Sequence, residues 1–90
     1  MKKIIIFSEE SIFSGIIKCG IAEVVDSLAN CLTDAYEVSI ICKDGGAAVG
    51  KKAADIIDFA PNVKYAKFLK VNYYMIAPIA WPYEGYKLLN

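Results

Sequence analysis

Ninety residues make one small domain at most, and ten lysines against ten acidic residues, with no arginine and no histidine, leave a formal net charge of zero. Such a chain projects no long-range field toward nucleic acid or an acidic membrane surface, and without histidine it cannot assemble Ser-His-Asp or Cys-His catalysis within these residues. Its hydrophobic share of 57% exceeds the roughly 45–50% of ordinary soluble domains, so some apolar surface is expected to stay uncovered on a domain too small to bury much more than about 60% of its unfolded area.

In chain order, Lys2-Lys3-Ile4-Ile5-Ile6-Phe7 opens with a continuous apolar run, which is how a parallel strand covered on both faces reads, and a central strand is expected here. The run is not the start of a signal peptide, because it stops at Phe7 and Glu9-Glu10 follow, leaving no apolar core of about 7–15 residues; a cytoplasmic protein is expected. From Ile21 the apolar positions Ile21, Val24, Val25, Leu28 and Leu32 mark one face of a helix ending near Thr33, with Glu23, Asp26, Ser27 and Asn30 facing outward. Val38, Ile40, Ile41 and Cys42 then form a second buried strand, and the right-handed crossover rule makes it parallel to the first.

Asp44-Gly45-Gly46 signals a turn. A second helical stripe follows in Val49, Ala53, Ile56, Ile57 and Ala60, with Lys51, Lys52, Asp55 and Asp58 opposite. Pro61-Asn62 breaks that pattern, and Val63-Lys64-Tyr65-Ala66-Lys67-Phe68 alternates as a half-buried edge strand does. Residues 71–76 read as a further strand and residues 83–89 as a final helix, with Pro82 accepted at its first turn. That helix reaches Asn90 without a stop signal, which suggests a chain cut inside an element. The apolar stretch 71–81 is shorter than the about 20 residues of a membrane span and carries Pro78, so no span is expected; self-association is its alternative use. Cys19, Cys31 and Cys42 are odd in number and lie outside any zinc or C-x-x-C spacing, so structural or incidental thiols in a reducing compartment are expected.

The turn before the first helix is the site candidate. Neither Lys18 nor Cys19 caps a helix start as Ser, Thr, Asn or Asp would, Gly20 permits close approach of a ligand to the backbone, and the helix dipole adds about half a positive charge beside the Lys18 ammonium. The competing reading starts the helix earlier, at Ser8 or Ser14, and leaves Lys18 solvated. Walker A and dinucleotide fingerprints are both absent, since Ile21-Ala22 stands where a P-loop needs Lys and Ser or Thr. Glu9, at the carboxyl edge of the first strand, suits a sugar hydroxyl or proton transfer, or is simply a solvated loop carboxylate. Tyr65, Phe68, Tyr73, Tyr74, Trp81, Tyr83 and Tyr86 offer rings for stacking, or else form a core seam or interface.

At these residues the chain resembles the amino-terminal end of bacterial glycogen synthases and plant starch synthases, two-domain GT-B glycosyltransferases that use ADP-glucose. Ser8-Glu9 matches the Ser-Glu pair after that family's first strand. Lys18-Cys19-Gly20-Ile21-Ala22-Glu23-Val24 matches its Lys-Thr-Gly-Gly-Leu-(Ala/Gly)-Asp-Val motif, with Cys for Thr, Glu for Asp and one glycine missing. The resemblance covers about half the chain, Lys2 to roughly Asp44, and implies a Rossmann-like three-layer βαβ half-domain with a small, mostly parallel sheet. It further implies an acceptor- and phosphate-side role for Lys18, Gly20 and Glu9 toward ADP-glucose and α-glucan, with no cofactor, no metal and no catalytic residue in these ninety positions. Transfer needs a closed cleft between two domains, so the chain alone is expected to be inactive. A non-catalytic binding or self-association module is the alternative.

Overall fold

A computed structural model of the chain describes residues 2–9, 11, 13, 21–45, 56–81 and 83–89. Within them the elements run β1 (Lys2–Phe7), α1 (Ile21–Leu32), β2 (Tyr36–Lys43), β3 (Ile57–Ala60), β4 (Val63–Phe68), β5 (Val71–Ile76), a 3-10 turn Pro78–Ala80 and α2 (Tyr83–Leu89). They form a small α/β domain around one five-stranded mixed sheet of order β1-β2-β5-β4-β3. The β1–β2 and β2–β5 pairs are parallel, whereas β5–β4 and β4–β3 are antiparallel. The sheet is thus less parallel than expected.

Three placements differ from the sequence reading. β1 pairs only with β2 and lies at an edge among the described residues, not at the centre. β4 is enclosed between β5 and β3, so its alternation reports two faces and not an edge. The first part of the second helical stripe, Val49 and Ala53, lies outside the described residues, and its end at Ile57–Ala60 is strand β3 instead of helix. The cause of the strand is local: Pro61 supplies a fixed φ and Asn62 takes φ 67°, a left-handed value asparagine tolerates, which folds Ala60 back against Val63. A second tight turn, with Leu69 at φ 56°, joins β4 to β5.

One face of the sheet carries the core. Val38, Ile40 and Cys42 of β2 pack with Val71, Tyr73 and Met75 of β5, Ala66 of β4, Ala29 of α1 and Phe13, all buried. α1 is rolled relative to the expected stripe. Asp26 is buried at 7% exposure, while Val24 at 67% and Leu28 at 51% face outward. The reason is a polar demand from the sheet: the buried Tyr73 hydroxyl donates to Asp26 Oδ1 at 2.9 Å, and burying that hydroxyl without an acceptor would cost about 1–3 kcal/mol. The helix ends where Thr33 Oγ1 donates to Asn30 O at 2.8 Å, a side-chain bond that competes with continuing the helix.

On the opposite face, α2 covers the carboxyl ends of the strands. Phe7 is sandwiched between Trp81 (centroids 4.7 Å apart) and Tyr86 (5.2 Å), and Gly85 is buried beside it. A Cβ on Gly85 would lie 2.5 Å from Phe7 Cε2, against a ring that its two neighbours hold in place. Gly85→Ala gains about 1 kcal/mol of helix propensity but overpacks this contact by about 1–3 kcal/mol. A net loss of up to about 2 kcal/mol, read as a lowered melting temperature, is the expected outcome; a raised one would contradict this packing.

Candidate functional site

The parallel strands β1, β2 and β5 end together, and sheet pairing continues past them. Ser8 N–H donates to Ile41 O (2.9 Å), Lys43 N–H to Glu9 O (3.2 Å) and Asp44 N–H to Ile76 O (2.8 Å). These bonds fix Ser8, Glu9, Lys43 and Asp44 along one carboxyl edge, the side on which open α/β sheets bind ligands. Two ion pairs decorate it, Lys43 Nζ to Glu9 Oε2 at 3.6 Å and Lys64 Nζ to Asp44 Oδ2 at 3.5 Å. The Lys43 ammonium also lies 5.9 Å from the Trp81 ring centroid, within cation–π range.

Of the sequence candidates, Glu9 therefore stands at the expected edge, held by Lys43 and largely exposed. Asp44, read from the sequence as the start of a turn, is engaged with Lys64. Lys18 and Gly20, with Cys19, lie outside the described residues; α1 is described from Ile21 onward. Apart from Tyr83, which is 74% exposed, the aromatic series divides into three groups. Tyr73 and Phe68 ring Phe13 under α1, Trp81 and Tyr86 clasp Phe7, and Tyr65 and Tyr74 form a cluster with Phe59 on the other sheet face, Tyr74 lying 5.2 Å from Phe59 and 5.1 Å from Tyr65. The stretch 71–81 is mostly interior: β5 is a central, buried strand, and Ile79 at 91% exposure is its main exposed apolar side chain.

Sequence reasoning missed the buried polar cluster behind this edge. Ser11 Oγ donates to Cys42 Sγ at 3.1 Å and accepts from Phe13 N–H at 3.1 Å, while Asp26 and Tyr73 lie on the same core face. Burial pushes the Cys42 thiol up to about 12, and it raises the Tyr73 phenol well above the ordinary range, with Asp26 adding to both. Tyr74 is raised as well, again chiefly by burial. These groups are held neutral, which suits a structural role. A groove of about 570 Å³ runs along α1 and is lined by Glu23, Asp26, Ser27, Asn30, Cys31, Phe68 and Tyr73. A second of about 230 Å³ lies on the opposite sheet face between Ile5, Phe59, Tyr74 and Leu88.

No group of three or more His, Cys, Asp or Glu that would hold a metal occurs among the described residues, and no described helix is long and apolar enough to cross a membrane. Fold and site together define a small α/β domain with a polar carboxyl edge. No protein-family model, curated protein or solved structure matches the chain.

Proposed function

We propose that this chain is the acceptor- and phosphate-side portion of a cytoplasmic glucosyltransferase of the glycogen or starch synthase type, built as the βαβ start of a Rossmann-like layered domain. The observation that carries this reading is the parallel β1–α1–β2 unit. Its carboxyl edge presents Glu9 and Lys43 at 3.6 Å from each other, and its helix is under way at Ile21, directly after the Lys18-Cys19-Gly20 motif.

The chemistry assigned to these residues is binding. The ADP-glucose phosphates meet Lys18 and the backbone beside Gly20, where ammonium charge and helix dipole add. Glu9 accepts hydrogen bonds from sugar hydroxyls. These ninety residues furnish one wall of the cleft and none of the reacting groups. A second reading, a non-catalytic association module, draws on the outward apolar side chains Ile5, Val24 and Leu28.

Calorimetric titration of the chain with ADP-glucose is expected to show weak binding that Lys18→Glu reduces by about tenfold or more, since the exchange replaces a charge-assisted phosphate contact with repulsion. Binding indifferent to that substitution would overturn the phosphate assignment.

A further inference from the structure

β1 is made like an interior strand and placed like an edge. Its Ile4-Ile5-Ile6-Phe7 run carries no proline and no charge, and its six-residue register with β2 is unbroken by any bulge, so of the devices that normally blunt an exposed edge it has only the lysines at its start, Lys2 and Lys3. Ile5 is 42% exposed and the Lys3 side chain 78% exposed. Among the described residues, β2 is its only strand partner.

We propose that β1 pairs antiparallel with β1 of a second copy, joining two five-stranded sheets into one across a two-fold axis at Ile6. The register follows from symmetry and charge. An axis perpendicular to the sheet keeps each face continuous only if it passes through a residue, because a one-residue slip turns every side chain to the other face. Centred on Ile5, the pairing sets Lys3 against Phe7 and Lys2 against Ser8, with no charge matched. Centred on Ile6, it sets Lys3 against Glu9 of the second copy, twice by symmetry, and Ile5 against Phe7. Glu9 is still within reach of such pairing, because the Lys43 N–H bond to its carbonyl keeps the chain beside β2 to that point. Of the present partners of both charges, Glu37 pairs with Lys3 at 3.9 Å with both side chains exposed, and Lys43 pairs with Glu9 at 3.6 Å from the exposed side of Glu9; such solvent-facing carboxylates and ammonium groups contribute little in their present pairs and can be shared. The half-exposed Tyr86, stacked on Phe7, widens the same face toward the axis.

Sedimentation equilibrium of the whole chain from low to high micromolar concentration tests this. The expected result is a monomer–dimer equilibrium that Ile5→Lys abolishes and Lys3→Glu weakens about tenfold, with Lys3→Glu plus Glu9→Lys restoring it. Circular dichroism of each variant verifies that it folds, and the charge-swapped pair keeps the test valid should Ile5→Lys unfold. A monomer across the whole range would overturn the proposal. So would a dimer that the β1 substitutions leave intact and Ile79→Asp dissolves.

Discussion

Replacing Tyr73 by alanine is expected to remove about 3–5 kcal/mol of stability, the usual cost of truncating a large buried aromatic side chain. Tyr73 is fully buried at the centre of the sheet, its ring 4.7 Å from Phe13 at an edge-to-face angle of 62°. A domain of this size has about 5–15 kcal/mol in total, so the variant should be at or near unfolding in plain buffer. Tyr73→Phe separates the two contributions. It keeps the ring, removes the 2.9 Å bond to Asp26, and should cost about 1–3 kcal/mol, because a buried carboxylate loses a donor. A double-mutant cycle with Asp26→Ala by urea denaturation should return a coupling of about 1–2 kcal/mol. Additive costs would mean that the bond does not hold α1 in its rolled position.

Alkaline pH should destabilise the fold through Cys42. The thiol, fully buried on β2, is raised by desolvation from its ordinary 9.0 to about 12, a displacement that the Ser11 hydrogen bond only partly offsets. Above pH 9 the unfolded chain gives up this proton and the folded chain keeps it. The folded state then binds more protons, so stability falls as pH rises. The contribution is complete below about pH 9, declines by at most about 1.4 kcal/mol per pH unit, and amounts to about 4 kcal/mol by pH 12. Tyr73, also raised, acts in the same direction at higher pH. Urea midpoints at pH 8 and pH 10.5 should diverge clearly in the parent chain and much less in Cys42→Ala. Equal pH slopes in both would remove the thiol from the account. The exposed Cys31 offers an internal comparison, since it should react with a thiol reagent in the folded chain while Cys42 should not.

The opening of the fold was legible because its signals are local. The Ile4–Phe7 run, the apolar spacing from Ile21 to Leu32 and the Val38–Cys42 run gave β1, α1 and β2 in their observed places and parallel sense. What failed was non-local. A continuous apolar run says that two faces want cover but nothing about lateral neighbours, so β1 could be read as central though it stands at an edge. The helical wheel placed Val24 and Leu28 inward, and the acceptor requirement of a tyrosine 47 positions away turned Asp26 in instead. At Ile57–Ala60 two periods competed, and the Pro61-Asn62 turn, a hairpin signal in its own right, decided for the strand. For the candidate site, the position of Glu9 followed from strand direction alone, whereas its partner Lys43 depended on the β1–β2 register, which sequence spacing does not give.

The most direct test of the sugar-nucleotide reading is a map of backbone amide shifts while ADP-glucose, and separately a short malto-oligosaccharide, is added to the labelled chain. Shifts concentrated at Ser8, Glu9, Lys18 to Ile21 and Lys43 are the predicted result. Shifts confined to residues 71–90, or none at saturating ligand, would contradict it.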